Sequence, residues 1–260
     1  ELDAALDVAY AADPVAVAVT GKPFVFAVGA DLNGVPNISD RAVALEIGTL
    51  GHRVFRRLRE STVPTFAFVN GAALGGGLEI ALHCHYRTVA DNAAALGLPE
   101  TFLGLVPGWG GTQLLPNLIG PANAVTVVIE NALNQNRMLK PADAQKLGIA
   151  DEVFGGADFL EQSLLWAAKV VSGDVIPARP EIDRGQGWDD AIARAKAIVS
   201  GKTGDHAPGP VRAVQLLELA KSTDITDSAS LDAAFAAEDE ALADLLMADE
   251  LRAGLYAFDL

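Results

Sequence analysis

Cysteines, long apolar runs and basic residues are scarce in this 260-residue sequence, and each scarcity excludes some classes of protein. It has one cysteine, Cys84, which excludes an intramolecular disulfide framework and fits a reducing cytoplasm. No apolar run reaches about 18 residues, so no transmembrane helix is expected. Lys and Arg number 19 against 34 Asp and Glu, a net charge of −15. Such a surface repels phosphate groups, so we expect no binding to nucleic acid.

The order of apolar segments indicates an α/β protein. Half of the residues are apolar and 20% are charged, which is typical of a globular chain large enough for a sizeable core. Short β-branched or apolar runs alternate with helical patterns and glycine-rich turns. The runs predicted to be strands are 15–20, 24–28, 65–69 and 86–90, and the intervening helices are 41–61 and a segment reaching about residue 82.

The predicted helix over 41–61 has apolar residues at helical spacing, and we expect them to form its buried side. They are Val43, Leu45, Ile47, Leu50, Val54, Phe55 and Leu58.

After residue 120 the pattern is mostly helical. The segment 173–187 has two prolines, three glycines and no apolar period, so it is the best linker candidate. We therefore expect a core over 1–172, a linker over 173–187 and a helical region over 188–260. The predicted helices are 121–134, 141–148, 157–172, 188–201, 210–221 and 229–250. The last of these interleaves acids with an apolar side and is interpreted as a packed amphipathic helix.

The glycine-rich segment 71–82 is the first candidate for chemistry. Three consecutive glycines follow a buried strand and precede a helix, so backbone N–H groups and the positive helix end face the loop. Such a place suits a developing oxyanion, and Glu79 in the first turns could face the same cavity. The segment lacks the G-x-G-x-x-G spacing. The only Gly-Lys-Thr fails as a P-loop, because Lys196 stands where glycine is required. The alternative is that the glycines only allow close packing.

Two further segments contain candidate residues. Glu100 opens a short apolar turn ahead of Gly108, Gly110 and Gly111, although an acid there is also typical of an ordinary helix N-terminus. The run Phe24–Leu32 is a strand ending in Gly29, where Ala30 could present a backbone N–H.

Together, FAVGADL, GAALGGGLE and LPETFLGLVPGWGGTQ, in this order, resemble the crotonase (enoyl-CoA hydratase/isomerase) family over about residues 1–155. The run PGWGGTQLLP and the acidic C-terminal helix are similar to the hydratase portions of multifunctional fatty-acid oxidation α-subunits. The resemblance implies a spiral of ββα units with a helical C-terminal region. The family's N-terminal strands have no counterpart ahead of the first helical pattern, a departure that puts CoA affinity in doubt.

The resemblance also implies roles for individual residues. Glu79 and Glu100 match the two hydratase acids, Glu79 accepting a proton from water and Glu100 delivering one to C2. The N–H groups of Ala30 and Gly76 match an oxyanion hole for the thioester carbonyl. The implied substrate-binding residues are Ala27, Val28, Gly29, Asp31, Leu32, Gly75 and Trp109. Many relatives carry a lysine two residues after the motif Asp, whereas this chain has Asn33, so a phosphate contact there is in doubt.

The resemblance favours hydration of a 2-enoyl-CoA in fatty-acid β-oxidation. No metal or redox cofactor is implied, and coenzyme A is part of the substrate. Two alternatives stay open: a Δ3-Δ2-enoyl-CoA isomerase, in which Glu79 is dispensable, and a non-catalytic docking domain. The implied partners are further copies of the chain or a thiolase subunit. His83-Cys84-His85 looks like a metal trio, but an evident fourth ligand is missing, so we expect no metal.

Overall fold

The computed structural model describes residues 1–31, 34, 35, 38–204 and 206–258. Within these ranges the strands are β1 (Val17–Thr20), β2 (Phe24–Ala27), β3 (Thr65–Val69), β4 (Gly71–Leu74), β5 (Tyr86–Ala90), β6 (Leu96–Gly97) and β7 (Glu152–Phe154). The α-helices are α1 (Leu2–Ala11), α2 (Arg41–Arg59), α3 (Gly76–His83), α4 (Glu100–Leu103), α5 (Gly111–Ile119), α6 (Pro121–Val125), α7 (Pro141–Leu147), α8 (Phe159–Ser172), α9 (Gln186–Thr203), α10 (Pro208–Leu219), α11 (Ser228–Leu246) and α12 (Asp249–Phe258).

Three successive ββα units build the α/β part of the molecule: β1-β2-α2, β3-β4-α3 and β5-β6-α4. The first strand of each unit joins a parallel sheet of order β1-β3-β5-β7, and the second joins a parallel sheet of order β2-β4-β6. The helices α5 to α12 follow. This is the predicted spiral of ββα units with a helical C-terminal region.

The sequence analysis missed the short strands β4, β6 and β7. Segments of only two to four residues are too short to show a period, and here they are held by pairing with neighbouring strands. Gly75 N donates to Gly97 O at 2.9 Å, and Ala73 N donates to Ala95 O at 3.0 Å. Gly71 is needed for this pairing, because a methyl group there would lie 2.0 Å from the backbone carbon of Phe24.

The buried side of α2 differs from the predicted one. Val43 and Leu50 are about half exposed, whereas Gly48, Gly51 and His52 are buried. A methyl group at Gly48 would lie 2.6 Å from Asp239 Oδ1 of α11, and one at Gly51 would lie 2.2 Å from Trp109 Nε1. The small residues therefore allow close packing, which a pattern of large apolar residues does not reveal.

Two predicted helices are interrupted. The segment predicted as one helix over 121–134 begins as α6 and continues as a π-helical turn over Thr126–Glu130. It is preceded by α5, which the sequence analysis missed since glycines open it and Pro116 lies within it. The helix predicted over 229–250 is α11 followed by α12, with a break after Leu246.

The C-terminal helices share one hydrophobic core with the ββα units. Residues of α9, α10 and α11, among them Trp188, Leu217 and Phe235, belong to the same buried cluster as Leu78 of α3. The segment between α8 and α9 forms neither helix nor strand. Because of the shared core, α11 packs against α2 beside the site described next. Among the described residues, no helix is both long and apolar enough to cross a membrane.

Candidate active site

A cavity of about 430 Å³ opens where the ends of β2 and β4 meet α4 and α11. The sequence-predicted residues that line it are Val28, Gly29, Ala30, Asp31, Gly75, Gly76, Glu79, Glu100 and Trp109. Ala27 lies behind this wall, since its carbonyl oxygen would be 1.9 Å from a methyl group at Gly77. Leu32 and Asn33 lie outside the described residues.

Gly29 and Gly76 bring two backbone segments together on one wall of the cavity. Gly29 ends the β2 segment with φ +90°, and a methyl group there would lie 3.7 Å from Gly76 N. Gly76 is the first residue of α3, so its N–H has no acceptor within the helix. Ala30 follows Gly29 directly and lines the same cavity. The structure thus places Ala30 and Gly76 on the same cavity, with Gly29 beside the Gly76 amide.

Each glycine of the triplet permits a different close approach. Gly75 has φ +53°, and a methyl group there would lie 2.6 Å from Glu100 Oε1. A methyl group at Gly76 would lie 2.5 Å from the indole of Trp109. Gly77 packs α3 against β2. This segment therefore both packs closely against its neighbours and lines the cavity.

Glu79 is buried in the first turn of α3 and is held by the segment that opens α5. Its Oε1 accepts the N–H groups of Trp109, at 2.8 Å, and of Gly111, at 2.9 Å. Burial and the charge of Glu238 raise the pKa of Glu79 to about 7, although the two N–H donors act in the opposite direction. Near neutral pH this carboxyl group can therefore both accept and release a proton.

Glu100, the first residue of α4, presents its carboxyl group differently. Its Oε2 is buried and has no hydrogen-bond partner within the part of the chain that the structure describes. Burial, and then the neighbouring Glu79, raise the pKa of Glu100 well above its ordinary value. Both causes favour the neutral form of Glu100, and the two acids titrate as a coupled pair.

Trp109 both lines the cavity and packs tightly. Its indole lies against Gly51 and Gly76, and its Nε1 donates to Ile47 O at 3.2 Å. Its carbonyl oxygen accepts Nε2–H of His83 at 2.9 Å. The two interpretations of this residue, pocket lining and core filling, are compatible.

A second group of buried polar side chains lies behind Glu79, and the sequence analysis missed it. Glu238 of α11 accepts the N–H groups of Gly110, at 2.6 Å, and of Thr112, at 3.0 Å. His52 of α2 bridges Glu238 Oε2 at 2.9 Å and Asp239 Oδ1 at 2.7 Å. Burial lowers the pKa of His52, but the hydrogen bonds to Asp239 and Glu238 outweigh it and raise the pKa to about 9.

The helical spacing of α11 contained a signal for this group. Leu231, Phe235, Glu238 and Leu242 follow one another at intervals of three or four residues and are all buried. An acid within that apolar side is the exception that points to a buried partner. Leu242 and Leu246 of the same helix line the cavity.

The histidines of the possible metal trio have other partners. His83 ends α3, and burial lowers its pKa to about 3, so the ring is neutral. His85 accepts the N–H of Thr65 at Nδ1, at 3.0 Å. Burial raises the pKa of Cys84 to about 12, which leaves an unreactive thiol.

Comparison with known protein families gives one match that covers most of the chain. The model of the family "Enoyl-CoA hydratase/isomerase" matches residues 1–178. The chain belongs to the enoyl-CoA hydratase/isomerase family.

Among curated proteins, the α-subunits of fatty acid oxidation complexes are similar to the chain. The subunit of Idiomarina loihiensis is 35% identical over 210 residues, 78% of this chain and 28% of that protein. The subunit of Pseudomonas putida is 35% identical over 213 residues, 78% of this chain and 29% of that protein. The chain therefore spans less than a third of the length of these relatives.

Solved structures of other proteins share the fold. The enoyl-CoA hydratase of Bacillus anthracis superposes with a TM-score of 0.58 at 24% identity, covering 89% of this chain and 83% of that one. DspI of Pseudomonas aeruginosa gives a TM-score of 0.58 at 30% identity, covering 84% and 82%. The α/β spiral predicted from the sequence motifs is confirmed by these superpositions.

Proposed function

We propose that the chain hydrates 2-enoyl-CoA thioesters by syn addition of water, giving 3-hydroxyacyl-CoA. The observation that carries this proposal is the contrast between two buried acids on one cavity. Glu79 has a pKa of about 7 and accepts two backbone N–H groups, whereas Glu100 has a pKa raised by burial and by Glu79, and an oxygen without a partner among the described residues. One base and one acid facing the same space are what water addition requires.

The thioester carbonyl oxygen would accept the N–H groups of Ala30 and Gly76. As water adds to C3, negative charge develops on this oxygen as an enolate, and preorganised N–H donors stabilise that charge. Loss of one such donor typically costs about 3 kcal/mol in the transition state. The adjacency of Gly29 and the Gly76 amide supports this role.

The proton transfers then follow from the two acids. Ionised Glu79 accepts a proton from the water whose oxygen bonds to C3, and protonated Glu100 delivers its proton to C2. Each reaction therefore ends with Glu79 protonated and Glu100 ionised, and one proton passing back from Glu79 to Glu100 restores the pair. These steps require no metal or redox cofactor, and coenzyme A enters as part of the substrate.

The acyl chain would lie against the apolar side of the cavity. Leu103, Leu105, Val106, Leu242 and Leu246 line that side. Burial of methylene groups there contributes about 0.8 kcal/mol each, which favours an acyl-CoA over free coenzyme A.

We also propose that the chain acts within a larger protein. The similar curated proteins are named as α-subunits of a fatty acid oxidation complex, which supports a multifunctional α-subunit acting in fatty-acid β-oxidation. Association with a thiolase subunit or with further copies is part of this proposal, and so is a cytoplasmic location, which the single buried Cys84 supports.

The first experiment is hydration of crotonyl-CoA and decenoyl-CoA, followed by loss of absorbance of the conjugated thioester. The parent chain is expected to turn over, and Glu100→Gln to lower kcat by roughly 100-fold or more, since an amide cannot supply the proton. Equal rates in parent and variant would overturn the proposal.

Glu79→Gln separates hydratase from isomerase activity. The hydratase proposal expects hydration to fall by roughly 100-fold or more. An isomerase would still convert a 3-enoyl-CoA to the 2-enoyl-CoA at an unchanged rate in this variant. Binding of a protein partner without any turnover by the parent would favour the docking alternative.

A further inference from the structure

The N–H groups that open α5 hold two buried carboxylates in alternation. Trp109 and Gly111 donate to Glu79, whereas Gly110 and Thr112 donate to Glu238. The Thr112 hydroxyl also donates to Glu238. One short backbone segment therefore fixes the base of the proposed reaction on one side and a residue of α11 on the other.

Glu238 lies far from Glu79 in sequence and contacts no part of the cavity. It does not line the cavity, and its carboxylate is fully buried between the 110–112 backbone and His52. His52 in turn stacks on Phe235 at 4.1 Å between ring centroids and is anchored by Asp239. A buried carboxylate with four donors has a defined position, because moving it leaves several of them unsatisfied.

We propose that Glu238 and His52 are positioning residues for Glu79: Glu238 holds the 109–112 backbone on which the Glu79 carboxylate rests, and His52 holds Glu238. This proposal rests on the proposed function for its kinetic consequences. It makes α11 and α2 part of the apparatus that orients the base.

The charges of the two residues act on Glu79 in opposite directions. A negative Glu238 behind the shared backbone disfavours ionisation of Glu79, and a positive His52 favours it. Three further titratable groups lie around this arrangement. Glu100 of α4 interacts with Glu79, Asp239 of α11 binds His52, and the neutral His83 of α3 binds the Trp109 carbonyl. Substitutions at 238 and 52 should therefore displace the titration of Glu79 in opposite senses.

The test compares Glu238→Gln and His52→Gln with the parent in kinetics and in carboxyl ¹³C titration of glutamate-labelled protein. The Glu79 resonance is assigned by its loss in Glu79→Gln. Glu238→Gln should shift the Glu79 titration and the acidic limb of kcat/KM to lower pH by about one unit. His52→Gln should shift both to higher pH by a similar amount. In Glu238→Gln, kcat should also fall about tenfold with KM little changed, because the base is less well oriented.

Glu240→Gln is the matched control. Glu240 is two residues further along α11 and pairs with Arg41 of α2 at the surface, so its loss breaks a contact between the same helices without touching the 109–112 backbone. It should move neither the titration nor kcat.

Two results would overturn the proposal: shifts of the same sign in both variants, or no shift in either. If Glu238→Gln does not fold, Glu238→Asp keeps the charge but shortens the side chain by one methylene. That variant should lower kcat about tenfold and leave the limb in place, and an unchanged kcat would overturn the proposal. A parent without hydratase activity would reject the proposed function alone, since the carboxyl titration still reports on Glu79.

Discussion

The floor and the rim of the cavity are built from different kinds of groups: buried acidic side chains in the floor and the backbone of an exposed loop in the rim. The floor consists of the buried acids Glu79 and Glu100 and the 109–112 backbone. Two backbone N–H groups of this segment hold Glu79, and two others hold Glu238, which lies behind the floor. The rim consists of residues 28–31 at the end of β2, where Val28 is 55% exposed. The floor uses charged side chains from distant helices, and the rim uses the backbone of one loop.

The difference follows from what each part would do. A carboxylate that exchanges a proton near neutrality must be withdrawn from water, and burial is tolerated only if donors compensate. A surface that accepts a large thioester must stay open to solvent. The predictions below test this division, beginning with the largest expected effect.

The largest effect should come from Gly75→Ala, which disturbs the floor from within the glycine triplet. The added methyl group would lie 2.6 Å from Glu100 Oε1, so the acid must move. A displacement of about 1 Å can lower kcat by roughly 100-fold. Steady-state hydration of crotonyl-CoA measures it.

Gly173→Ala is its matched control, since Gly173 also has positive φ, +83°, but nothing lies within 4 Å of the added methyl group. Both variants should lose about 1–2 kcal/mol of unfolding free energy from backbone strain, and only Gly75→Ala should lose activity. Equal activity in both would contradict the contact with Glu100.

The next prediction concerns the pH dependence of stability and His52, which binds Glu238 behind the floor. The pKa of His52 is raised from 6.5 to about 9 in the folded chain, so its stabilising contribution is complete below pH 6.5 and is lost as pH rises to about 9. The difference corresponds to about 3 kcal/mol of unfolding free energy. The unfolding free energies of the parent and His52→Gln, measured with denaturant across this pH range, should converge at the alkaline end.

His206→Gln serves as the control for that measurement, since His206 is exposed. Its stability curve should parallel that of the parent. A constant difference between parent and His52→Gln from pH 6 to 9 would show that folding does not raise the pKa of His52.

The smallest effect should come from the rim. Val28→Ala removes two methyl groups from a half-exposed side chain at the cavity mouth. Its unfolding free energy should change by less than about 0.5 kcal/mol. KM should rise about two- to fivefold with kcat unchanged, because the contact serves binding equally before and during reaction. Val8→Ala, at an exposed position on α1 outside the cavity, should leave KM unaltered.

The sequence motifs predicted the residues that line the floor and rim because these residues are close along the chain to glycines with special geometry. Gly29, Gly75 and Gly110 all have positive φ, and each is adjacent to a predicted site residue. The ββα order was also partly visible, since β1, β3 and β5 are β-branched or aromatic runs.

The remainder depends on contacts between distant segments. The strands β4 and β6 exist through pairing. The buried side of α2 includes Gly48 and His52, whose partners lie on α11, and Gly51, which packs against Trp109. The sequence pattern over 229–250 predicts a packed amphipathic helix with interleaved acids and does not single out any one of them. Only the register of Glu238 within the apolar stripe distinguishes it from its neighbours, and its partners at 110 and 112 are over a hundred residues away.

Glu79 and Glu238 accept alternate N–H groups of the 109–112 backbone. This arrangement limits how the chain can be recombined with its relatives. The matched family segment ends at residue 178, yet Glu238 lies beyond it. A chimera joined within the segment between α8 and α9 would combine the α5 N-terminus of one protein with the α11 of another. In such a hybrid, Glu79 stays oriented only if the incoming helix also carries an acid at the position of Glu238. The functional unit therefore extends through α11.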